Sequence, residues 1–188
     1  MLPDGLLLAE EFVSPEEERE LIALIEASGI DYIDYDPGNP RGERTYGWLY
    51  HYLEDTISPG DPLPDRFKPL RDRVAALAGI APESLIQLLL LRYDPGSIIQ
   101  PHCDKPCWGH VLGLSLGAPA TMEFVREVPE GRETIAVELP PRSIYWQTGQ
   151  ARHVWQHSIP LITQMRWGIT FRDFSAEGFR MRDLALAA

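Results

Sequence analysis

The chain has 188 residues, of which 44% are hydrophobic, and its formal net charge is −11. A chain of this length can bury one hydrophobic core without disulfide bonds, so we expect a single domain spanning residues 1–188. Lys68 and Lys105 are the only lysines among 17 basic residues. This composition argues against tight non-specific binding to duplex DNA, which depends on many phosphate contacts from basic side chains.

Nothing in the sequence indicates secretion or membrane insertion. The first residues lack the basic and apolar regions of a signal peptide, and no apolar run approaches the ~20 residues that span a bilayer. The two cysteines, Cys103 and Cys107, lie close together in the chain. We therefore expect a cytoplasmic protein with no membrane partner, and we expect it to be a monomer.

The first half of the chain predicts two helices and two strands. Residues 5–8 form a short apolar run typical of a strand. Ser14 and Glu17 have the spacing of a capping box and predict the start of a helix. Residues 46–52 predict a strand within a segment rich in Pro, Gly, Asp and Tyr. Apolar residues at helical spacing predict a second amphipathic helix that ends before Gly79.

After residue 85 the pattern changes to short strands separated by turns. Candidate strands lie near residues 86–93, 97–102, 110–116, 120–125, 134–139, 142–147, 153–158 and 166–172. Eight short strands with turn residues between them predict a mainly β fold, either a sandwich or a jelly roll. The two N-terminal helices would flank and brace one sheet, which makes the fold class α+β.

A candidate metal site begins at His102-Cys103-Asp104. Residues i and i+2 of a strand face the same side, so His102 and Asp104 could reach one metal ion. A single His-x-Asp pattern is weak evidence, but a later histidine and a strand with Arg166 and Arg172 on one face strengthen it. These arginines could equally be solvated side chains of a surface strand.

Two histidines and one carboxylate form a facial triad, which leaves coordination sites on iron for a 2-oxo acid and dioxygen. Such an acid binds iron through its keto oxygen and C1 carboxylate. A second carboxylate would suit a planar arginine. The facial triad would hold one end of the 2-oxo acid and an arginine the other, so the two groups of residues are chemically complementary.

In this order and spacing, the motifs resemble the AlkB-type dioxygenases. The resemblance covers roughly residues 90–173, and residues 44–48 resemble the start of the family's substrate lid. The motifs are Leu91-Arg92-Tyr93-Asp94-Pro95-Gly96, His102-Cys103-Asp104-Lys105, Ser115-Leu116-Gly117, Arg152 to Pro160, and Arg166 to Arg172.

The resemblance implies a double-stranded β-helix, that is a jelly roll, in residues 86–175, with the N-terminal helices and substrate lid in residues 1–85. It implies Fe(II) held by His102, Asp104 and His157, with His153 as the less favoured alternative to His157. The cosubstrates would be 2-oxoglutarate and O2.

The resemblance also implies roles for three residues at the cosubstrate. Arg166 would bind the distal carboxylate of 2-oxoglutarate and Tyr93 would hydrogen-bond it. Arg172 would lie near the C1 carboxylate and Asp104. The reaction typical of the family oxidises an N-methyl group to a hydroxymethyl group, which leaves as formaldehyde.

Three positions depart from the family pattern. Leu91 and Gly168 stand where the founding type has asparagines on the cosubstrate strands. Pro106 replaces an acid that contacts the flipped base. These differences leave the substrate open.

Aromatic residues at four positions are candidates for stacking on an extruded base, which would be a short single-stranded or flipped-out region of nucleic acid. They are equally compatible with packing in the strand core. The four are Tyr46, Trp48, Tyr50 and Trp108.

We therefore consider four hypotheses. The first is oxidative demethylation of N-alkylated bases in DNA or RNA, and the second is an AlkB-like oxygenase acting on a protein or small molecule. The third is a zinc-binding module built from Cys103, Cys107 and His110, which lacks a fourth ligand in register. The fourth is a jelly roll that binds without catalysis.

Overall fold

The computed structural model describes residues 2–32 and 38–187. Its helices are α1 (Pro15–Glu26), α2 (Lys68–Ala78), α3 (Gly149–His153) and α4 (Ala176–Ala187). The strands before residue 100 are β1 (Leu6–Ala9), β2 (Asp31–Tyr32), β3 (Arg41–His51), β4 (Thr56–Pro59), β5 (Gln87–Tyr93) and β6 (Ile99–His102). The later strands are β7 (Trp108–Gly117), β8 (Ala120–Val128), β9 (Gly131–Leu139), β10 (Ile144–Gln147), β11 (Gln156–Ile159) and β12 (Arg166–Phe174). Two 3₁₀ turns lie at Asp65–Phe67 and Pro82–Ser84.

These strands form two antiparallel sheets. The larger sheet has the order β1-β10-β7-β12-β5-β3-β2, with β4 paired to β3. The smaller sheet has the order β6-β11-β8-β9. The predicted mainly β fold with flanking helices, of the jelly-roll type, is confirmed. None of the helices in the described ranges is long and apolar enough to cross a membrane.

The two N-terminal helices pack on the outer face of the larger sheet. Helix α1 starts at the predicted capping box, in which the Ser14 hydroxyl accepts from the Glu17 N–H and the Glu17 carboxylate accepts from the Ser14 N–H. Ile25 of α1 and Val74 of α2 are fully buried in the outer core. The helices therefore cover one side of the sheet and leave the other side to face the smaller sheet.

The inner face of the larger sheet lines the space between the two sheets. Directly paired residues in antiparallel strands point to the same side. One such row of inner-face positions runs through Glu43, Leu91, Gly168 and Ser115. The row one step along the strands runs through Arg41, Tyr93, Arg166 and Gly117. The candidate cosubstrate residues thus share a face because of the sheet register.

Strand β3 changes face at Gly47, which has φ +83°. A Cβ at this glycine would lie 1.9 Å from the carbonyl oxygen of Ile86, so glycine is required by both backbone conformation and space. Tyr46, just before Gly47, is 8% exposed and belongs to the outer core. Trp48, just after it, packs in a separate cluster with Trp108.

Each of the eight strands predicted after residue 85 has a counterpart among the described residues. The strand predicted at 153–158 begins only at Gln156, because the preceding residues form α3. Helix α4 was not predicted. Its large apolar residues Phe179 and Leu184 are exposed, so its sequence has no buried apolar stripe to reveal a helix.

Candidate active site

Two histidines face each other across the pair of strands β6 and β11. His157 is the register partner of His102, and their ring centroids are 4.3 Å apart. The Nδ1 of His102 lies 2.9 Å from the carbonyl oxygen of Gln100, which can only accept. His102 therefore carries its proton on Nδ1, and the lone pair of Nε2 is available to a metal ion.

Asp104 lies in the loop that follows β6. It does not share a strand with His102, since β6 ends at His102. The loop nevertheless brings the Asp104 Oδ2 atom to 4.0 Å from Nε2 of His157. The other oxygen, Oδ1, accepts a hydrogen bond of 2.8 Å from Arg172. One carboxylate oxygen thus faces the histidines while the second is fixed by a cation.

Electrostatics keep this pair in the protonation states that a metal requires. Burial disfavours the charged form of Asp104, but the charges of Arg172, His157, Arg152 and His102 together outweigh it, with Arg172 contributing most. The pKa of the carboxyl therefore lies well below its usual range. Burial lowers the pKa of His157 to about 4, against the opposing effect of Asp104. At neutral pH the site holds a carboxylate and a neutral imidazole.

The donor set fits iron, although its geometry is incomplete. Across the described ranges, no group of three His, Cys, Asp or Glu side chains meets the geometric requirement for holding a metal ion. Two imidazoles and a carboxylate are the donors of a facial iron centre. The Nδ1 atom of His157 is buried without a hydrogen-bond partner in the described structure. His102 is exposed, which leaves its ring free to turn toward the other two side chains.

The alternative ligand His153 lies in a different setting. It is at the end of α3 and is exposed, whereas His157 is 7% exposed and lies beside Asp104. The geometry favours His157, and the assignment of all three ligands stays a prediction.

Arg152 is a functional residue whose role the sequence analysis missed. It is 2% exposed, and its guanidinium donates to four backbone carbonyls of the metal loop and the start of β7. These carbonyls belong to Asp104 at 3.2 Å, Lys105 at 2.8 Å, Trp108 at 2.5 Å and Gly109 at 3.1 Å. Arg152 thus fixes the backbone that carries Asp104. An arginine in a short helix gave no sequence signal for contacts more than 40 residues away.

At the other end of β12, Arg166 is buried without a carboxylate partner in the described residues. It is 3% exposed, lies 5.1 Å from the ring centroid of Tyr93, and donates to the Ser115 hydroxyl at 3.3 Å. Its Nε atom has no hydrogen-bond partner there. A buried guanidinium without a counterion is costly, so this position suits an anionic ligand.

Between Arg166 and Arg172, the inner face of β12 carries Gly168 and the buried Thr170. Leu91 and Gly168 are paired neighbours on the inner face. A Cβ at Gly168 would meet Leu91 and Tyr93 at 3.7 Å, which is ordinary contact. Leu91 and Gly168, the two residues that replace asparagines of the founding type, therefore leave an open apolar surface.

The aromatic residues predicted to stack on a base divide into two groups. Tyr46 faces the helices, and Trp108 is 3% exposed and stacks on Phe174 at 5.9 Å. Both side chains pack in the core, which is one of the two roles that the sequence leaves open for them. Trp48 is partly buried and packs edge-on against Phe174 at 5.3 Å, which also makes it a packing residue.

Tyr50 is the predicted aromatic residue nearest to an open surface. Its ring lies 5.0 Å from that of Tyr52, which is 63% exposed. The ammonium group of Lys105, from the metal loop, lies 4.8 Å from the Tyr50 ring and 5.3 Å from the Tyr52 ring. We call these three residues the Tyr50 platform. It connects the metal loop to the β3–β4 hairpin, and the sequence analysis missed Tyr52 and Lys105.

Glu43 is a partly buried carboxylate on the same inner face as Leu91. Burial raises its pKa, against the opposing charges of Arg41 and Arg172. Within the described ranges it forms no hydrogen bond or ion pair. A carboxylate in this setting suits a ligand that carries a positive charge or an N–H donor.

The positions of Cys103, Cys107 and His110 do not support a zinc site. His110 is held by Asp173, which lies 2.7 Å from its Nδ1 atom. The thiol of Cys103 donates to the carbonyl of Trp155, and Cys107 is buried among aromatic side chains. The three side chains are therefore engaged separately.

Comparisons with known proteins agree on one family. The model of the 2OG-Fe(II) oxygenase superfamily matches residues 35–174. The chain is 32% identical over 173 residues to mouse tRNA (carboxymethyluridine(34)-5-O)-methyltransferase ALKBH8, covering 84% of this chain and 24% of that protein. It is 28% identical over 223 residues to human alpha-ketoglutarate-dependent dioxygenase alkB homolog 4, covering 96% of this chain and 71% of the relative.

The fold comparison agrees with the sequence comparisons. The solved structure of OsALKBH1 superposes with a TM-score of 0.70 at 16% identity, covering 92% of this chain and 98% of that one. At this identity the superposition supports the fold alone. The chain spans about a quarter of the length of mouse ALKBH8.

Proposed function

The chain belongs to the 2OG-Fe(II) oxygenase superfamily as an AlkB-type dioxygenase that uses Fe(II), 2-oxoglutarate and O2, and we propose that it demethylates N-alkylated bases in nucleic acid. One observation supports the proposed site most strongly. Arg166 is buried and has no carboxylate partner among the described residues. It lies on the same strand as Arg172, which binds Asp104. In this proposal the enzyme acts as a monomer.

We assign the end of the site near Asp104 to the metal ion and the end near Arg166 to the cosubstrate. His102, Asp104 and His157 would hold Fe(II), while Arg166 and Tyr93 would hold the distal carboxylate of 2-oxoglutarate. When bound, Fe(II) supplies the redox chemistry that divides O2 between the cosubstrate, which becomes succinate and CO2, and a C–H bond of the substrate, which becomes C–OH.

The protein residues contribute position and charge. Arg172 keeps Asp104 ionised and holds one of its oxygens, so the other is directed toward the histidines. Arg152 keeps the loop that carries Asp104 in place. A hydroxymethyl group on nitrogen then breaks down without further oxidation: the hydroxyl proton is lost, the C–N bond breaks, formaldehyde leaves and the nitrogen is protonated.

A nucleic-acid substrate is supported by two features of the surface and by the name of a relative. The Tyr50 platform offers two rings and one ammonium group beside the metal loop, and stacking contributes about 1–3 kcal/mol per base. Glu43 supplies a partly buried carboxylate, which suits the positive charge of an N-alkylated adenine or cytosine. The name of mouse ALKBH8 refers to tRNA, which favours RNA over DNA.

A second candidate function is oxidation of a protein or small molecule. The net charge of −11 disfavours a polyanion. In addition, two of the four aromatic residues first expected to stack on a base, Tyr46 and Trp108, are buried. Pro106, next to the metal loop, also provides no acid for base recognition.

One experiment separates these candidates. The purified protein would be loaded anaerobically with Fe(II) and 2-oxoglutarate, mixed with methylated single-stranded RNA or DNA oligonucleotides, and exposed to air. We expect succinate and formaldehyde in amounts that depend on a methylated oligonucleotide, with RNA preferred, and none with the His157→Ala protein. Substrate-independent succinate from the wild-type protein, with no oligonucleotide demethylated, would favour the second candidate.

A further inference from the structure

Tyr145 lies on the inner face of the larger sheet, between the two candidate arginines. It is on β10, where it pairs with Gly113 of β7, and Gly113 pairs in turn with Thr170 of β12. Paired residues share a face, so Tyr145 points into the same space as Arg166 and Arg172. No motif in the sequence indicates a role for this tyrosine.

The glycine at position 113 shows where the tyrosine ring lies. A Cβ at Gly113 would be 2.2 Å from Cζ of Tyr145 and 2.3 Å from its hydroxyl oxygen. The ring therefore lies flat over β7, and its hydroxyl extends across that strand toward β12. A side chain at position 113 would occupy the space of the phenol group.

Arg166 reaches the same part of the sheet. Its guanidinium donates to the Ser115 hydroxyl at 3.3 Å, and Ser115 is the next inner-face residue of β7 after Gly113. Leu91 and Gly168 offer no polar side chain here, while Ser115 and Thr170 carry further hydroxyls on this face. The Tyr145 hydroxyl, which lies over Gly113, is therefore beside the position that the Arg166 guanidinium reaches.

The hydroxyl is chemically ready to donate a hydrogen bond. Burial raises the pKa of Tyr145 to about 12, so the phenol is neutral at physiological pH. It makes no hydrogen bond with any residue that the structure describes. The side chain is partly buried, so a ligand in this space can accept a hydrogen bond from its hydroxyl.

We propose that the Tyr145 hydroxyl donates a hydrogen bond to the distal carboxylate of 2-oxoglutarate, beside Arg166. It takes over part of the binding that Leu91 and Gly168 do not provide. The proposal rests on the proposed placement of the cosubstrate and adds a binding residue to it. It also explains why β7 has glycine at position 113.

The test is the Tyr145→Phe variant, which removes one oxygen and keeps the ring. Anaerobic calorimetry with Mn(II) as a redox-inert metal would measure the Kd of 2-oxoglutarate and of pyruvate, a 2-oxo acid that lacks the distal carboxylate. We expect 2-oxoglutarate to bind about tenfold more weakly, as for loss of one hydrogen bond to a charged group. The Kd of pyruvate should not change.

Tyr46→Phe is the matched control, because that buried tyrosine lies on the outer face and its hydroxyl contacts only the Ser28 carbonyl at 3.5 Å among the described residues. Its Kd for 2-oxoglutarate should equal the wild-type value. An unchanged Kd in Tyr145→Phe would overturn the proposal, and so would an equal loss for both ligands. A wild-type protein that binds pyruvate as tightly as 2-oxoglutarate would overturn the proposed carboxylate site itself.

Discussion

Removing the guanidinium of Arg152 should both destabilise the fold and weaken the metal site. Arg152→Met keeps a side chain of similar length but removes all the donors to the carbonyls of the metal loop. These include the carbonyls of Asp104 and Lys105, at 3.2 and 2.8 Å. The methionine leaves buried acceptors that lose their hydrogen bonds.

The expected magnitude follows from the burial of the guanidinium. A single hydrogen bond to a charged group contributes about 1.5–3 kcal/mol, and such contributions are not additive. Breaking a buried charged network by removing one partner costs about 3–5 kcal/mol. We expect a loss of this size in the free energy of unfolding for Arg152→Met. Arg152→Lys, which keeps the charge and some donors, should lose about half as much, on the order of 2 kcal/mol.

Urea denaturation measures the stability and anaerobic Fe(II) titration measures the metal affinity. Because Arg152 supports the backbone of a proposed ligand, the Kd for iron should rise about 10–100-fold. Arg126→Met is the matched control, since that partly exposed arginine lies 4.4 Å from the Trp155 ring and pairs with Glu133 at the surface. It should cost less than ~1 kcal/mol and leave iron binding unchanged. Equal unfolding free energies for the two methionine variants would refute the role assigned to Arg152.

Three further outcomes are expected. His157→Ala should lose iron binding in an anaerobic titration while its circular dichroism spectrum stays native, and His153→Ala should bind iron as the wild type does; full occupancy in His157→Ala would reverse the assignment. Arg166→Lys should weaken 2-oxoglutarate by about 1–3 kcal/mol without weakening iron, because lysine keeps the charge but loses the planar fork; an unchanged cosubstrate Kd would place Arg166 elsewhere. Binding of a methylated oligonucleotide should show a shallow salt dependence, equal to a few phosphate contacts. It should also fall more in Tyr52→Ala than in Trp48→Ala, and a steep slope with Tyr52→Ala silent would reveal a basic groove in place of the platform.

The strands of the core could be predicted because their signals are local. Turn residues separate the apolar segments, and alternation within each strand identifies the face of residues such as Arg166 and Arg172. The family resemblance also implied that Arg172 lies near Asp104, and the two are 2.8 Å apart. The residue types and their spacing alone did not indicate this pair.

The roles of the aromatic residues could not be predicted, because one glycine changes the face of a strand. Simple alternation places Tyr46, Trp48 and Tyr50 on one side of β3. The left-handed backbone at Gly47 instead puts Tyr46 among the helices and the later residues on the opposite side. A glycine in a strand indicates a bulge or a close approach, but not which one.

The contacts by which distant residues support the site could not be predicted from the sequence either. Arg152 and Lys105 are 47 residues apart, and their contact depends on how α3 packs against the loop after β6. Such contacts depend on the whole fold, whereas the proposed iron ligands belong to motifs that resemble the AlkB-type dioxygenases. Motifs of this kind indicate candidate reacting groups but not the groups that hold them in place.

The metal site and the Tyr50 platform are connected through two side chains. Arg172 donates to both Asp104 and the side-chain oxygen of Gln87, each at 2.8 Å. The amide nitrogen of Gln87 donates in turn to the carbonyl of Trp48 at 2.7 Å, next to Gly47 in β3. The same strand continues to Tyr50 on the proposed substrate platform. The change of face at Gly47, which the sequence does not reveal, therefore puts the proposed substrate surface within two hydrogen-bonded side chains of the Asp104 carboxylate.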